Sequence, residues 1–208
     1  MKTTVSILIF SLSICVNAFS QIIINKGIYK ANFSNTLHVP RYVSYYLNYG
    51  GHKCDRSKEG FKFSNDIDTL LCASDDDYSK NPNGYQKGHL ANAEDFASDC
   101  TEEELTFRYY NCLPQLEKLN GGIWRTNEAK IRTWSQKEKL YIICGGYFQN
   151  LKMKEVAVPS YCWKVVQSVA TKKVLFCGWF SNSLPVKLEE IPVAELEKRL
   201  KANIVLLK

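Results

Sequence analysis

The sequence predicts an α+β fold carried on one domain, and three observations predict it. Strand-length apolar stretches and helix-length segments follow one another without the regular strand–helix–strand rhythm of a parallel α/β protein. The 208 residues suit one domain with a sizeable core, or two small ones at most. Hydrophobic residues make up 45% of the chain and charged residues 23%, which is ordinary globular composition and excludes a disordered chain.

The N-terminus stands apart from the rest. Lys2 is followed by an apolar run over residues 4–16 and then by the small residues Ala18 and Ser20. A charged start, a short apolar stretch and small residues before a cut make the layout of a secretory signal peptide. Cleavage is expected after Ser20, with Ala18 as the other candidate. The run is shorter than the ~20 apolar residues of a membrane span, so no stable membrane association is expected. A lipid anchor on Cys15 is disfavoured by bulky Ile14. Residues 1–20 are thus assigned to the signal peptide and 21–208 to the functional domain, which would be secreted or periplasmic. That leader holds one lysine and no acid, so its removal takes the formal charge from +6 to +5. A basic surface suits a polyanionic partner, although so modest an excess does not by itself select one.

Along the remaining chain, residues 41–47 (RYVSYYL) read as a strand. Residues 73–85 (ASDDDYSKNPNGY) read as a polar loop. Its aspartates start like a calcium loop, but Lys80 stands where a glycine is needed and Gln86 where a glutamate is needed. A short strand is expected around 86–90. Thr101 should open a helix, with Glu104 completing a capping box. A second short strand is expected at 107–112. Asn120-Gly121-Gly122 should break the chain before a helix over roughly 121–137, with Trp124 and Ile131 on one face. Residues 140–144, 161–169 and 174–180 read as apolar strands. Pro185 and Pro192 bracket a linker, and 193–201 reads as a final amphipathic helix.

Seven cysteines follow the leader: Cys54, Cys72, Cys100, Cys112, Cys144, Cys162 and Cys177. They form no C-x-x-C pair, which argues against a zinc framework. In an oxidising compartment two or three disulfides are expected. Seven is odd, so at least one thiol is left over, and Cys144 and Cys177 lie in apolar strands where burial suffices. Asn32-Phe33-Ser34 is a glycosylation sequon, relevant only in a eukaryotic source.

Only three histidines exist, His38, His52 and His89. His89 is set apart by its surroundings, GYQKGHLANAED over 84–95, where Gly88 permits close approach and Lys87 supplies a cation. Thirty residues later comes LNGGIWRTNE over 119–128. At about 100° per residue, Asn120 and Glu128 lie about 80° apart around a helix and can border one cleft.

These segments resemble, in order and spacing, the DNA/RNA non-specific endonucleases, the family of mitochondrial endonuclease G. Gln86-Lys87-Gly88-His89 corresponds to an Asp-Arg-Gly-His strand. Asn111-Cys112-Leu113-Pro114-Gln115 corresponds to an Asn-Ile-x-Pro-Gln strand. Asn120, Gly122, Trp124 and Glu128 fall in step with a helix opening Asn-x-Gly-x-Trp and reaching a Glu. The stretches 140–148 and 156–166 resemble the family's core strands, and the likeness covers roughly 38–180. It implies a ββα-metal nuclease fold, with a central antiparallel or mixed sheet flanked by helices.

The resemblance also implies roles. His89 would be the general base, a task that an imidazole with a pKa near ~6.5 performs at neutral pH. Asn120 would be the metal ligand, with water completing the shell of Mg2+, or of Mn2+ as a substitute. Glu128 would hold metal-bound waters. Asn111 would position His89 or the phosphate, and Arg56 and Lys87 would be cations at the phosphate. Two departures stand out. Gln86 replaces a carboxylate near the metal, and Lys87 replaces an arginine, losing bidentate geometry. The partners implied are DNA and RNA, read through the backbone and hence without sequence preference. An inhibitor protein would join them if the enzyme acts as an effector toxin. The rival readings are a binding relative with weakened catalysis and, from another class, a disulfide-rich secreted binding module.

Overall fold

The computed structural model describes residues 21–55, 59–79 and 81–208. The signal-peptide assignment and the phosphate-binding assignment of Arg56 fall outside the described residues.

A seven-stranded antiparallel sheet forms the centre. Its strands are β1 (Gln21–Asn25), β2 (Tyr29–Ser34), β3 (Val39–Leu47), β6 (Leu140–Met153), β7 (Val156–Ser168), β8 (Val174–Ser181) and β9 (Leu188–Glu190), side by side in that order. Between β3 and β6 the chain leaves the sheet to build a second layer. That layer holds α1 (Asp75–Ser79), the two-stranded antiparallel ribbon β4 (Tyr85–His89) and β5 (Cys112–Leu116), α2 (Cys100–Thr106) and α3 (Arg125–Ser135). Helix α4 (Val193–Leu200) covers the opposite face. The molecule is α+β, as expected, with helices on both sides of an antiparallel sheet.

Strand alternation explains the two cores. Residues paired across an antiparallel ladder share a face. Tyr45, Ile142, Val166 and Phe176 pair in one row, and all are buried against the second layer. The intervening positions Ile143, Trp163, Val165, Cys177 and Trp179 turn the other way, onto Leu196 of α4. A chain with two buried sheet faces therefore reads as long apolar strands, as 140–144 and 174–180 did.

Several elements differ from expectation for local reasons. The loop 73–85 contains the short helix α1, whose carboxylates occupy its positive end; Asp77 also accepts from the Ser74 amide. The cap of α2 is Asp99, not Thr101: its carboxylate accepts from the amides of Thr101 at 2.9 Å and Glu102 at 3.2 Å. Aspartate outranks threonine in that role. The second strand of the ribbon starts at Cys112, because Tyr109–Asn111 is a 3-10 turn. Pro114, which lacks an N–H and disguises the strand, is tolerated in this narrow ribbon opposite Lys87. The helix expected over 121–137 is a wide π-like turn at Lys118–Trp124, kinked at Gly122, followed by α3. Trp124 and Ile131 are both buried, as their spacing required. The linker between Pro185 and Pro192 contributes the edge strand β9.

The expected two or three disulfides reduce to one. Cys54 and Cys100 are joined, and Cys72, Cys112, Cys144, Cys162 and Cys177 are buried thiols. Each of those five sits in an apolar environment that uses it as a small hydrophobe. Asn32 of the sequon is 4% exposed within β2, so no glycan can be carried there. Among the described residues no helix is long and apolar enough to cross a membrane.

Two buried asparagines tie the layers together. Asn182 donates to the carbonyls of Pro114 and Pro159, both at 2.9 Å, and accepts from the Leu116 amide at 2.9 Å. Asn111 donates to the Ala91 and Thr106 carbonyls at 2.9 and 2.8 Å and accepts from the Ala91 amide at 2.9 Å. Both satisfy backbone groups that no ladder reaches, as burial demands.

Candidate active site

The ribbon β4–β5 and helix α3 frame an open cleft of about 550 Å3. His89, at the last position of β4, lies on one wall, Asn120 and Gly121 on another, and Glu128 at its base. The three residues of the base, ligand and water-holding assignments thus meet in one cleft. Phe107, Asn92, Glu94, Arg125 and Arg132 complete it.

His89 is aimed by its neighbours. Its imidazole lies 4.6 Å from the Phe61 ring, tilted by 44°, and meets Phe107 edge-on at 4.8 Å. Phe61 comes from the loop closed by the Cys54–Cys100 disulfide, and the adjacent Lys62 amide bonds the Phe107 carbonyl at 2.9 Å. Gly88, just before the histidine, has a steric reason. A Cβ there would overlap Oε1 and Cδ of Gln115, its diagonal neighbour on β5, and stand 2.8 Å from its Cγ. Gln115 is fully buried and donates to the Cys162 sulfur at 3.3 Å.

Asn120 donates from Nδ2 to Oε1 of Gln86 at 2.9 Å. The residue that replaces a family carboxylate therefore orients the Asn120 amide and leaves the Asn120 Oδ1 for another partner. Among the described residues no group of three His, Cys, Asp or Glu side chains could form a metal cage. The donor set at this cleft is instead one amide oxygen with a buried carboxylate behind it. Such a set fits a hard cation that keeps most of its water, as Mg2+ does.

Glu128 is 5% exposed and belongs to a buried polar chain. Its Oε2 accepts from Nδ2 of Asn92, and its Oε1 lies 3.4 Å from Nζ of Lys164. Oδ1 of Asn92 accepts from Arg132 at 3.4 Å, and Arg132 pairs with Asp95 at 3.0 Å. Tyr45 donates to Asp95 at 2.7 Å. Burial, with the Glu128 charge second, pushes the Asp95 carboxyl up to about 6 despite Tyr45 and Arg132.

Of the remaining predicted residues, Asn111 and Lys87 lie outside the cleft lining. Asn111 is fully buried, and all its hydrogen-bonding capacity goes to backbone, so it fixes the segment after His89 and does not reach a phosphate. Lys87 is paired with Asp75 and sits over the Phe61 ring at 5.4 Å. Its charge is thereby offset, and it supports the ring that supports His89. Among the described residues, the cations lining the cleft are Arg125, exposed at the start of α3, and Arg132. Sequence reasoning passed over both, along with Asn92, Asp95, Lys164 and the aromatic pair around His89. Arg125 and Arg132 sit one and eight residues beyond Trp124, and that helical spacing from the Asn120 motif was the available signal.

Comparison with known proteins gives the family. A family model described as DNA/RNA non-specific endonuclease matches residues 15–204. The mitochondrial nuclease EXOG of Danio rerio is 26% identical over 152 residues, covering 65% of this chain and 44% of the relative. A nuclease from a Nostoc strain is 33% identical over 86 residues, covering 40% of this chain and 31% of its own length. The chain thus spans less than half the length of these relatives. A crystal structure of an EndoG/EndoGI complex shares the fold, with a TM-score of 0.72 at 22% identity, covering 86% of this chain and 83% of that one. The match over most of its length places this chain in the DNA/RNA non-specific endonuclease family.

Proposed function

We propose that the chain is an exported, metal-dependent endonuclease that hydrolyses phosphodiester bonds in DNA and RNA without sequence preference. The observation that carries the reading is the convergence of His89, Asn120 and Glu128 on one open cleft that also presents Arg125. His89, held between two aromatic rings, takes the proton of the attacking water. Arg125 offers an exposed guanidinium to phosphate oxygens. Asn120, oriented by Gln86, would hold Mg2+ or Mn2+ through its Oδ1, and Glu128 would accept hydrogen bonds from the ion's waters. The bound ion would supply positive charge to the phosphate and to the leaving 3′ oxygen.

Backbone-directed contacts explain the lack of sequence preference, and the basic chain favours polyanionic substrates. The N-terminal layout supports secretion or delivery to a periplasm, with Ser20–Gln21 as the cut. An inhibitor protein covering the cleft is a further partner that this reading accommodates. EndoG was crystallised with one.

Gln86 favours one alternative, a relative that binds nucleic acid with weakened catalysis, because a neutral amide replaces a carboxylate beside Asn120. Titrating Mg2+ and Mn2+ into wild type, Asn120→Ala and Gln86→Asp, with cleavage of linear DNA as readout, separates the two. The nuclease reading expects metal-dependent cutting by wild type, abolished in Asn120→Ala and met at lower metal concentration in Gln86→Asp. Salt-sensitive DNA retardation without cutting by wild type would support the alternative.

A further inference from the structure

Lys164 lies on β7, opposite Cys144 of β6 and Gly178 of β8, and is 1% exposed. Lysine is almost never buried so completely unless a partner offsets its charge. Its Nζ lies 3.4 Å from Oε1 of Glu128 and 4.0 Å from the ring centroid of Trp124. Trp124 closes the turn that carries Asn120, and Glu128 is the carboxylate at the base of the cleft.

The charges in this buried chain divide into pairs. Asp95 is met by Arg132 and Tyr45. Glu128 receives a neutral amide from Asn92 and one cation, Lys164. The sheet thus sends an ammonium beneath the cleft to the Glu128 carboxylate.

We propose that Lys164 is a positioning residue of the active site: it holds the Glu128 carboxylate fixed in place so that it can receive the metal's waters. This rests on the reading of Asn120 and Glu128 as the metal side of the cleft. Two features favour it over a purely structural ion pair. Glu128 itself lines the cleft, and Lys164 reaches it from the sheet beneath. Glu128 also keeps one oxygen on Asn92, a cleft residue, so its orientation is specified from both ends.

The test is a cycle of wild type, Lys164→Met, Glu128→Gln and the double variant. It is read by Tm in chelator and by calorimetric Mn2+ binding without substrate. Lys164→Met should lose Tm and weaken Mn2+ binding by about tenfold or more, the usual effect of removing a group that orients a metal's surroundings. The double variant should regain much of the lost Tm, because no buried charge is left alone, and should bind Mn2+ no more weakly than Glu128→Gln. Wild-type Mn2+ affinity in Lys164→Met would overturn the proposal. A double variant binding Mn2+ clearly more weakly than Glu128→Gln would overturn it too, since Lys164 would then act by another route. If Lys164→Met does not fold, the comparison of the double variant with Glu128→Gln decides alone. Absence of Mn2+ binding in folded wild type would overturn the metal reading itself, and this proposal with it.

Discussion

Gly88→Ala adds one methyl group where the structure has no room for it. The new Cβ would overlap the carboxamide of Gln115 and stand 2.8 Å from its Cγ. Gln115 cannot swing into solvent, because it is fully buried and bonded to Cys162. Either its side chain moves inside a filled core or β4 separates from β5. Overpacking of this kind costs about 1–3 kcal/mol, or roughly 3–10 °C in Tm for a domain of this size. The functional cost should be larger, since His89 is the next residue and shares the displaced strand. A shift of about 1 Å in a catalytic group removes about a hundredfold in rate. Thermal unfolding and initial rates of DNA cleavage measure both. Adding Gln115→Ser should free the space and return part of the Tm and most of the rate. Native Tm and rate in Gly88→Ala would refute the steric argument, as would a double variant no better than the single.

Three further outcomes follow from the same geometry. Asn111→Ala removes three buried hydrogen bonds and strips the Ala91 amide and carbonyl of their partner, while the Thr106 carbonyl keeps the Arg108 amide at 3.0 Å, so denaturant unfolding should show a loss of about 3 kcal/mol. Burial raises the thiols of Cys112, Cys144 and Cys162 to about 12 and of Cys177 to about 11, and Cys72 is raised by burial as well. A thiol reagent should therefore label none in the native mature protein and five in denaturant without reductant. Asp95 is raised from 3.8 to about 6, so in that window the folded state binds more protons than the unfolded chain. Its contribution to stability falls as pH rises from about 4 to about 6, by about 3 kcal/mol. Asp95→Asn should flatten that part of a stability–pH curve measured by denaturant unfolding.

The sequence exposed what local pattern controls. Residues 140–144 and 174–180 were legible as strands because burial on both faces over most of their length makes them nearly continuously apolar, 41–47 because of its tyrosines and valine, and 193–201 because α4 is amphipathic. Asn120 and Glu128 meet at the cleft across a kink at Gly122, so the continuous-helix spacing that paired them held only in part. What depended on long-range contact was hidden. Local pattern sets the second ribbon strand at 107–112, and only the resemblance sets one at 111–115; β5 is a strand because the His89 strand lies beside it. Asp99 displaced Thr101 as a cap through a competition that no short motif records. Phe61 and Phe107 meet at His89 from segments 46 residues apart. Lys164 lies in the strand read at 161–169, and its partner is a glutamate 36 residues away that no local pattern indicates. The cysteine count pointed to several disulfides because parity cannot distinguish a thiol that will be bridged from one that will be buried.

The central claim is that His89 and a divalent cation act together in hydrolysis. Its most direct test is incubation of the purified mature chain with plasmid DNA and bulk RNA, with Mg2+ or with chelator, beside His89→Ala. The account predicts cutting of both substrates by wild type with Mg2+ only, and none by a folded His89→Ala that still retards DNA. Undiminished cutting by His89→Ala, or equal cutting in chelator, would contradict it.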